Sequence, residues 1–189
     1  MVLDTIIPTQ RILLRRLSFS DANDMYEYTS SPLVTKYLNW SPHKNISEAE
    51  KFIELVLQKY ETVDTEFTYG IELKAEKKLI GVLKILNISY YNKRGEFTSI
   101  LNPLYQGKGY MGEAWQGLLN FCFNTAGFNR IQSHVTVDNV ASINKNIRAG
   151  LVLEGKLKEY QIIKGEFKDV LIYAITADSF MKSEGGSYI

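Results

Sequence analysis

A glycine-rich segment, Gln106-Gly107-Lys108-Gly109-Tyr110-Met111-Gly112, carries the clearest chemical signal in the sequence. Because glycine has no Cβ, such a segment can turn several backbone N–H groups toward one point. An amphipathic helix pattern follows directly, and the first N–H groups of a helix are unpaired donors at the positive end of its dipole. The segment therefore predicts a binding site for a phosphate or pyrophosphate group.

Two nucleotide-binding motifs fit this segment less well. Gly107, Gly109 and Gly112 match G-x-G-x-x-G, but that dinucleotide fingerprint belongs to a βαβ unit with an acidic residue about 20 residues further on. Here the segment follows an antiparallel strand pattern, and the nearest candidate acid is Asp138. A P-loop needs Ser or Thr after its lysine, whereas Gly109 follows Lys108. A plain glycine-rich turn between a strand and a helix is the remaining alternative.

Few other side chains point to chemistry. Cys122, the single cysteine, excludes an internal disulfide and falls on the apolar face of its helix, where cysteine behaves as a small hydrophobe. A cysteine nucleophile is therefore not expected. His43 and His134 stand alone and are interpreted as structural. No His, Asp or Glu cluster has the spacing of metal ligands, so no metal is expected.

The elements that must position the glycine-rich segment follow from hydrophobic periodicity. Ser47 and Glu50 match a capping box, and apolar residues recur behind them at helical spacing. Strands rich in β-branched and aromatic residues are predicted at 11–17, 67–73, 79–90, 96–101, 130–137, 160–163 and 170–176. Helices are predicted before residue 28, after Ser47, after the glycine-rich segment, and at 141–149. This order predicts an α+β fold.

Length and composition limit the class of protein. The 189 residues fit one domain, expected at residues 1–182, with a loose Ser/Gly tail at 183–189. A net charge of +1 gives no reason to expect nucleic acid or membrane as a partner. There is no apolar run of membrane-spanning length and no signal-peptide pattern at the N-terminus. A cytoplasmic protein, monomeric or homodimeric, is expected.

The glycine-rich segment resembles the Q/R-x-x-G-x-G/A loop with which GNAT N-acetyltransferases bind the pyrophosphate of coenzyme A, with Met111 at the final small position. Other segments resemble the branch of that family that acetylates ribosomal proteins (Rim type). They are Asn39-Trp40-Ser41-Pro42, Ser47-Glu48-Ala49-Glu50, Arg94-Gly95-Glu96-Phe97, Asp138-Asn139-Val140-Ala141-Ser142, Ala149-Gly150-Leu151 and Glu154-Gly155. Ala149 and Leu151 replace the usual lysine and phenylalanine. The resemblance covers roughly residues 11–176 and implies the GNAT fold, a mixed, mostly antiparallel twisted sheet flanked by helices.

The resemblance implies a site for acetyl-CoA as co-substrate. The backbone of Ile100 and Leu101 would pair with the pantetheine arm. Asn139 would contact the coenzyme or fix its own turn, and Asn144 and Lys145 would reach toward the phosphates of the coenzyme. The pyrophosphate would lie on the backbone of Gln106, Gly107, Lys108, Gly109, Tyr110, Met111 and Gly112. Lys108 would add a charge beside a phosphate, or else it is a solvated loop lysine.

The resemblance also implies two catalytic groups. Glu96 would be the base, directly or through water, with a pKa raised by partial burial; alternatively it only pairs with Arg94 or Lys93. Ser142 falls where the Rim-type branch has a serine in place of the tyrosine that other GNAT enzymes use as general acid, and the position four residues further on is Asn146. Ser142 would protonate or hydrogen-bond the departing thiolate, or else it caps a helix beside Asn139.

The implied reaction is direct acetyl transfer from acetyl-CoA to a primary amine, with the N-terminal α-amino group of a protein as the expected acceptor. Trp40 and Tyr90 are expected to line the acceptor groove. A small amine or amino acid is the alternative acceptor. A GNAT-like module that binds acyl-CoA without transferring the acyl group is the alternative from another class.

Overall fold

The computed structural model describes residues 3–62 and 64–185, and their strands form one eight-stranded sheet. The strands are β1 (Ile7–Pro8), β2 (Ile12–Arg15), β3 (Phe67–Leu73), β4 (Lys78–Ser89), β5 (Arg94–Leu101), β6 (Arg130–Thr136), β7 (Val152–Ile163) and β8 (Glu166–Thr176). The helices are α1 (Ala22–Thr29), α2 (Pro32–Thr35), α3 (Ile46–Thr62), α4 (Tyr110–Asn124), α5 (Val140–Arg148) and α6 (Ala177–Gly185). The expected α+β class is confirmed.

The sheet is antiparallel except at its centre, where β5 and β6 run parallel in the order β1-β2-β3-β4-β5-β6-β8-β7. Within the described residues, these two strands pair only at their beginnings, from Arg94 opposite Arg130 to Glu96 opposite Gln132. Beyond Glu96 they separate. The backbone of β5 on that edge is therefore available to another extended chain.

Side chains of β5 alternate between the two faces of the sheet, and each face packs against a different helix. The Phe97 and Trp115 rings meet edge to face, with centroids 5.3 Å apart, so α4 covers one face. Thr98 lies opposite Lys84 on the other face, where the Lys84 ammonium group lies over the Phe52 ring of α3. The core on the α4 side includes fully buried Trp115, Leu118, Leu119 and Cys122. Burial raises the pKa of the Cys122 thiol, consistent with its interpretation as a core residue.

Several predicted boundaries differ from the observed ones. The α3 helix begins at Ile46, so Ser47 lies inside it, and Glu48 accepts the hydrogen bond at this helix start from the Lys44 backbone N–H at 2.9 Å. The expected capping box of Ser47 and Glu50 is therefore wrong. The closing hairpin is longer than predicted, because β7 begins at Val152 and β8 at Glu166.

The chain ends differ too. The α6 helix continues to Gly185, past the expected tail boundary at Ser183. The rest of that tail, residues 186–189, and the first two residues of the expected domain lie outside the described residues.

Candidate active site

The glycine-rich segment forms a backbone cradle at the start of α4. Gly107 and Gly109 adopt left-handed conformations with φ of 75° and 82°, and Gly109 is the residue from which α4 begins. A Cβ placed on Gly107 or Gly112 would meet no described atom within 4 Å, so both face open space. Because the free N–H groups of α4 begin here, the cradle fits a pyrophosphate.

An ionic clamp that sequence reasoning missed fixes this cradle to the first strands. Glu113, in the first turn of α4, accepts hydrogen bonds from the Arg11 backbone N–H, the Arg11 Nε and the Thr9 hydroxyl, each at 2.6 Å. The Arg11 Nη1 also donates to the Lys108 carbonyl at 3.0 Å. Burial raises the Glu113 pKa, but these donors outweigh it, so the pKa lies below its ordinary value. The acidic residue in a first helical turn is the sequence signal for such a contact.

A cavity of about 760 Å³ extends from the cradle between α4 and α5 to β5. Ten of the residues expected to bind coenzyme or act on it line this cavity, namely Leu101, Gln106, Gly107, Gly109, Tyr110, Met111, Gly112, Ser142, Asn144 and Lys145. The other four residues of that expected set, Glu96, Ile100, Lys108 and Asn139, are not part of its lining. Sequence reasoning missed Ser99 and Arg148, which line it as well. The cavity brings the cradle and the α5 face together as one site.

Lys145 extends from α5 across this cavity. Its Nζ donates to the Ser99 Oγ at 2.9 Å and lies 4.4 Å from the centre of the Trp115 ring. Trp115 Nε1 donates to the same Ser99 Oγ at 3.2 Å. Burial lowers the pKa of Lys145 to about 8. The side chain of Lys145 therefore reaches β5 from α5.

Glu96 is buried, at 9% exposure, on the face of β5 opposite Ser99. Its Oε2 accepts from Asn87 Nδ2 at 3.0 Å, and its Oε1 lies 3.1 Å from His134 Nδ1. Burial raises the pKa of Glu96. The hydrogen bond and charge of His134, together with hydrogen bonds from Asn87 and Gln132, lower the pKa by more than burial raises it. The net pKa lies below the ordinary value, so the expected raised pKa is wrong. The partners are also not the Arg94 or Lys93 of the alternative interpretation.

The start of α5 separates the roles of two expected site residues. Asn139 Oδ1 accepts from the Ser142 backbone N–H at 3.2 Å, so Asn139 caps the helix. The alternative of Ser142 as the cap is wrong, and Ser142 lines the cavity. Asn146 is fully buried, and both polar atoms of its side chain lack a hydrogen-bond partner among the described residues.

The aromatic residues expected at the acceptor groove lie on two separate loops. The Trp40 ring packs on His43, with centroids 5.1 Å apart, between α2 and α3. Tyr90 is 47% exposed and packs against Phe128 at the turn after β4. Neither lines the cavity. Tyr37, near Trp40, donates to the Asp138 carbonyl at 3.1 Å and so ties the first loop to the turn before α5.

Two features are absent from residues 3–62 and 64–185. No helix in this part of the chain is long and apolar enough to cross a membrane. Among the same residues, no group of three or more His, Cys, Asp or Glu side chains is placed to hold a metal ion.

Comparison with known proteins identifies the family. The model of the acetyltransferase (GNAT) domain matches residues 11–152. An uncharacterized N-acetyltransferase, p20 of Bacillus licheniformis, is 30% identical over 88% of this chain and 93% of its own length. The structure of spermidine N-acetyltransferase from Vibrio cholerae, in complex with CoA and spermine, matches with a TM-score of 0.77 and 26% identity, covering 90% of this chain and 98% of the other.

Sequence similarity to the ribosomal-protein branch extends over less of the chain. The ribosomal-protein-serine acetyltransferase of Escherichia coli is 33% identical, but over 55% of this chain and 58% of its own length. The broad resemblance drawn from sequence motifs is thus confirmed for the family and its fold, while the Rim-type assignment has partial support. The chain belongs to the GNAT family and is an acetyl-CoA-dependent N-acetyltransferase.

Proposed function

We propose that the chain transfers the acetyl group of acetyl-CoA directly to the N-terminal α-amino group of a protein. The observation that carries the choice of acceptor is the environment of Glu96, whose pKa is held below its ordinary value by His134, Asn87 and Gln132 despite burial. A carboxylate of low pKa is a weak base. It suits an acceptor that supplies its own neutral amine.

The α-amino group meets this requirement better than a lysine-like amine. Its unperturbed pKa of about 7.7–8.0 leaves roughly a tenth of it neutral at pH 7. An aliphatic amine with a pKa near 10.4 is neutral in fewer than about one molecule in a thousand at that pH. This difference of roughly 200- to 400-fold in the concentration of neutral acceptor must otherwise come from a strong base.

The residues of the site then divide the reaction between them. The N–H groups of the cradle hold the pyrophosphate, and the free edge of β5, at Ile100 and Leu101, pairs with the pantetheine arm. The amine nitrogen attacks the thioester carbonyl from the Glu96 side of the sheet. The C–N bond forms, the C–S bond breaks, and Glu96 accepts the nitrogen's proton directly or through water. Ser142 reaches the same cavity from α5.

A polyamine is the second candidate acceptor. It is favoured by the sequence similarity to the spermidine N(1)-acetyltransferase of Vibrio cholerae, which extends over 98% of that protein, compared with 58% of the ribosomal-protein-serine acetyltransferase of Escherichia coli. Such an acceptor has to be bound with one amine already neutral, because Glu96 is a weak base.

The experiment compares both acceptors at pH 7. Peptides with different first residues and blocked lysines, and spermidine, are incubated with acetyl-CoA, and thiol release and the acetylated product are measured. We expect a peptide to give the higher kcat/KM and Glu96→Gln to lower its kcat about 100-fold. Glu54→Gln, on the exposed surface of α3, is the control and should leave kcat unchanged.

Two results would contradict the proposal. A higher kcat/KM for spermidine than for every peptide would assign the chain to small amines. Binding of acetyl-CoA without thiol release in the presence of any amine would favour an acyl-CoA-binding module.

A further inference from the structure

Lys145 is a half-buried lysine that lines the cavity, and no step of the proposed reaction uses it. Its Nζ is held by the Ser99 Oγ and the Trp115 ring, which are themselves joined by a hydrogen bond. Three elements, α5, β5 and α4, therefore fix the position of one ammonium group. Both Lys145 and Ser99 line the cavity, so this group is accessible from it.

The position of Ser99 shows which part of the coenzyme reaches this ammonium group. The cradle fixes the pyrophosphate end, and the free edge of β5 leads away from it through Leu101 to Ser99, a rise of about 7 Å over two residues. An extended arm that follows this edge toward Glu96 meets Lys145 after its polar head has been bound. On this path, the reactive end of the arm, and not its phosphates, would come near Lys145.

Acetyl transfer needs a proton at this end. When the C–S bond breaks, coenzyme A leaves as a thiolate, and the comparable thiol of a cysteine side chain has an ordinary pKa of about 8.5. An acid of similar pKa is the most effective donor near neutral pH. Lys145, with a pKa lowered to about 8 by burial, matches the thiol, whereas a serine hydroxyl such as that of Ser142 is a far weaker acid.

The other charged groups around the cavity leave Lys145 as the cation closest to β5. Glu113 of α4 is held by Arg11 and Thr9, and Arg148 lies one turn further along α5. From β5, the facing groups are Ser99 and Leu101, which are uncharged, while Glu96 and its partner His134 are on the opposite face.

We propose that the Lys145 ammonium group lies beside the sulfur of bound coenzyme A and donates its proton to the thiolate as the C–S bond breaks. This assignment rests on the proposed acetyl transfer. Coenzyme A is released as the thiol, and Lys145 is left as a neutral amine that regains a proton from water. The nitrogen of the acceptor loses its proton separately, on the Glu96 side.

The test measures bound coenzyme A and needs no acceptor. The thiolate absorbance of CoA in complex with the protein is titrated with pH, and the complex with S-methyl-CoA, which has no titrating thiol, is the blank. An ammonium group within about 4–6 Å lowers the apparent pKa of the thiol by about one unit or more. We expect this lowering in the parent and in Lys158→Met, an exposed control on β7, and its loss in Lys145→Met.

A second measurement separates proton donation from charge alone. Lys145→Arg keeps the cation but has no proton to give near neutral pH. We expect kcat to fall about 100-fold in both Lys145→Met and Lys145→Arg, with the Kd of acetyl-CoA changed less than about threefold. Circular dichroism and thermal melting of both variants report whether they fold.

Three results would overturn the assignment. They are an identical thiol titration in the parent and Lys145→Met, full activity of Lys145→Arg, and a defect of Lys145→Met confined to the Kd of acetyl-CoA. Failure of the proposed function has a different result, a lowered thiol pKa in the parent with no acetylation of any amine.

Discussion

Replacing Gly109 by alanine perturbs the backbone conformation on which the pyrophosphate cradle depends. Gly109 has φ of 82°, where an L-residue with a Cβ costs roughly 1–2 kcal/mol. The new Cβ would lie 3.3 Å from the Arg11 Nη2, but the end of a flexible side chain can move, so this contact adds little. We expect Gly109→Ala to lower the free energy of unfolding by about 1–2 kcal/mol.

Gly112→Ala is the matched control, because its expected effect on the free energy of unfolding has the opposite sign. Gly112 lies inside α4, and its Cβ would meet no described atom within 4 Å. Alanine in a helix is favoured over glycine by about 0.5–1 kcal/mol, so this variant should be more stable than the parent. Because Gly112 lines the cavity, the added methyl group should nevertheless weaken coenzyme A binding.

Urea unfolding, followed by circular dichroism with and without coenzyme A, measures both effects. For a slope near 2 kcal/mol/M, the midpoint of Gly109→Ala should fall by about 0.5–1 M, while that of Gly112→Ala rises. Equal midpoints for the two variants would refute the left-handed conformation at Gly109 and, with it, the geometry of the cradle.

Three other predictions concern the surroundings of the site. His134→Gln should raise the pKa of Glu96, because it removes the His134 contact that lowers it. Activity is lost as Glu96 is protonated, so the acidic limb of the kcat/KM profile should move to higher pH. An unmoved limb would contradict the contact between His134 and Glu96. Arg11→Met should release the cradle and weaken coenzyme A binding several-fold, measured by calorimetry, while kcat is retained. The control Arg16→Met removes surface ion pairs to Asp4 and Glu61 and should leave the Kd of coenzyme A unchanged. Equal Kd values for the two variants would contradict the clamp. Cys122→Ser should lower the free energy of unfolding by about 1–3 kcal/mol, because it buries a hydroxyl group. Cys122→Ala is the apolar control, and the folded Cys122→Ser variant should keep its activity. A loss of kcat would indicate that Cys122 acts as a nucleophile.

The glycine cradle and most of the elements around it could be predicted because their determinants are local. Glycines at 107, 109 and 112 permit the turn, and the periodicity behind them places Trp115 and Cys122 on one buried face. The boundaries were less accurate, since capping at Ile46 depends on Glu48 and Lys44, a pair that the Ser47 motif does not include.

The chemistry of individual groups depended on residues distant in sequence. Glu96 was expected to have a raised pKa, but His134, which is 38 residues further along the chain, lies against it because β5 and β6 pair in parallel at this point. Arg11 reaches Glu113 across 102 positions, and Lys145 reaches Ser99 across 46. No local pattern records these contacts.

The sequence by itself therefore determined the family, the coenzyme-binding loop and the buried face of α4, because the residues that specify each of them are close together in the chain. The tertiary structure alone decided the direction of the Glu96 pKa and the placement of Lys145 at β5. The physical reason is that burial and charge act through space, and the strands that bring these groups together are joined by long segments of chain.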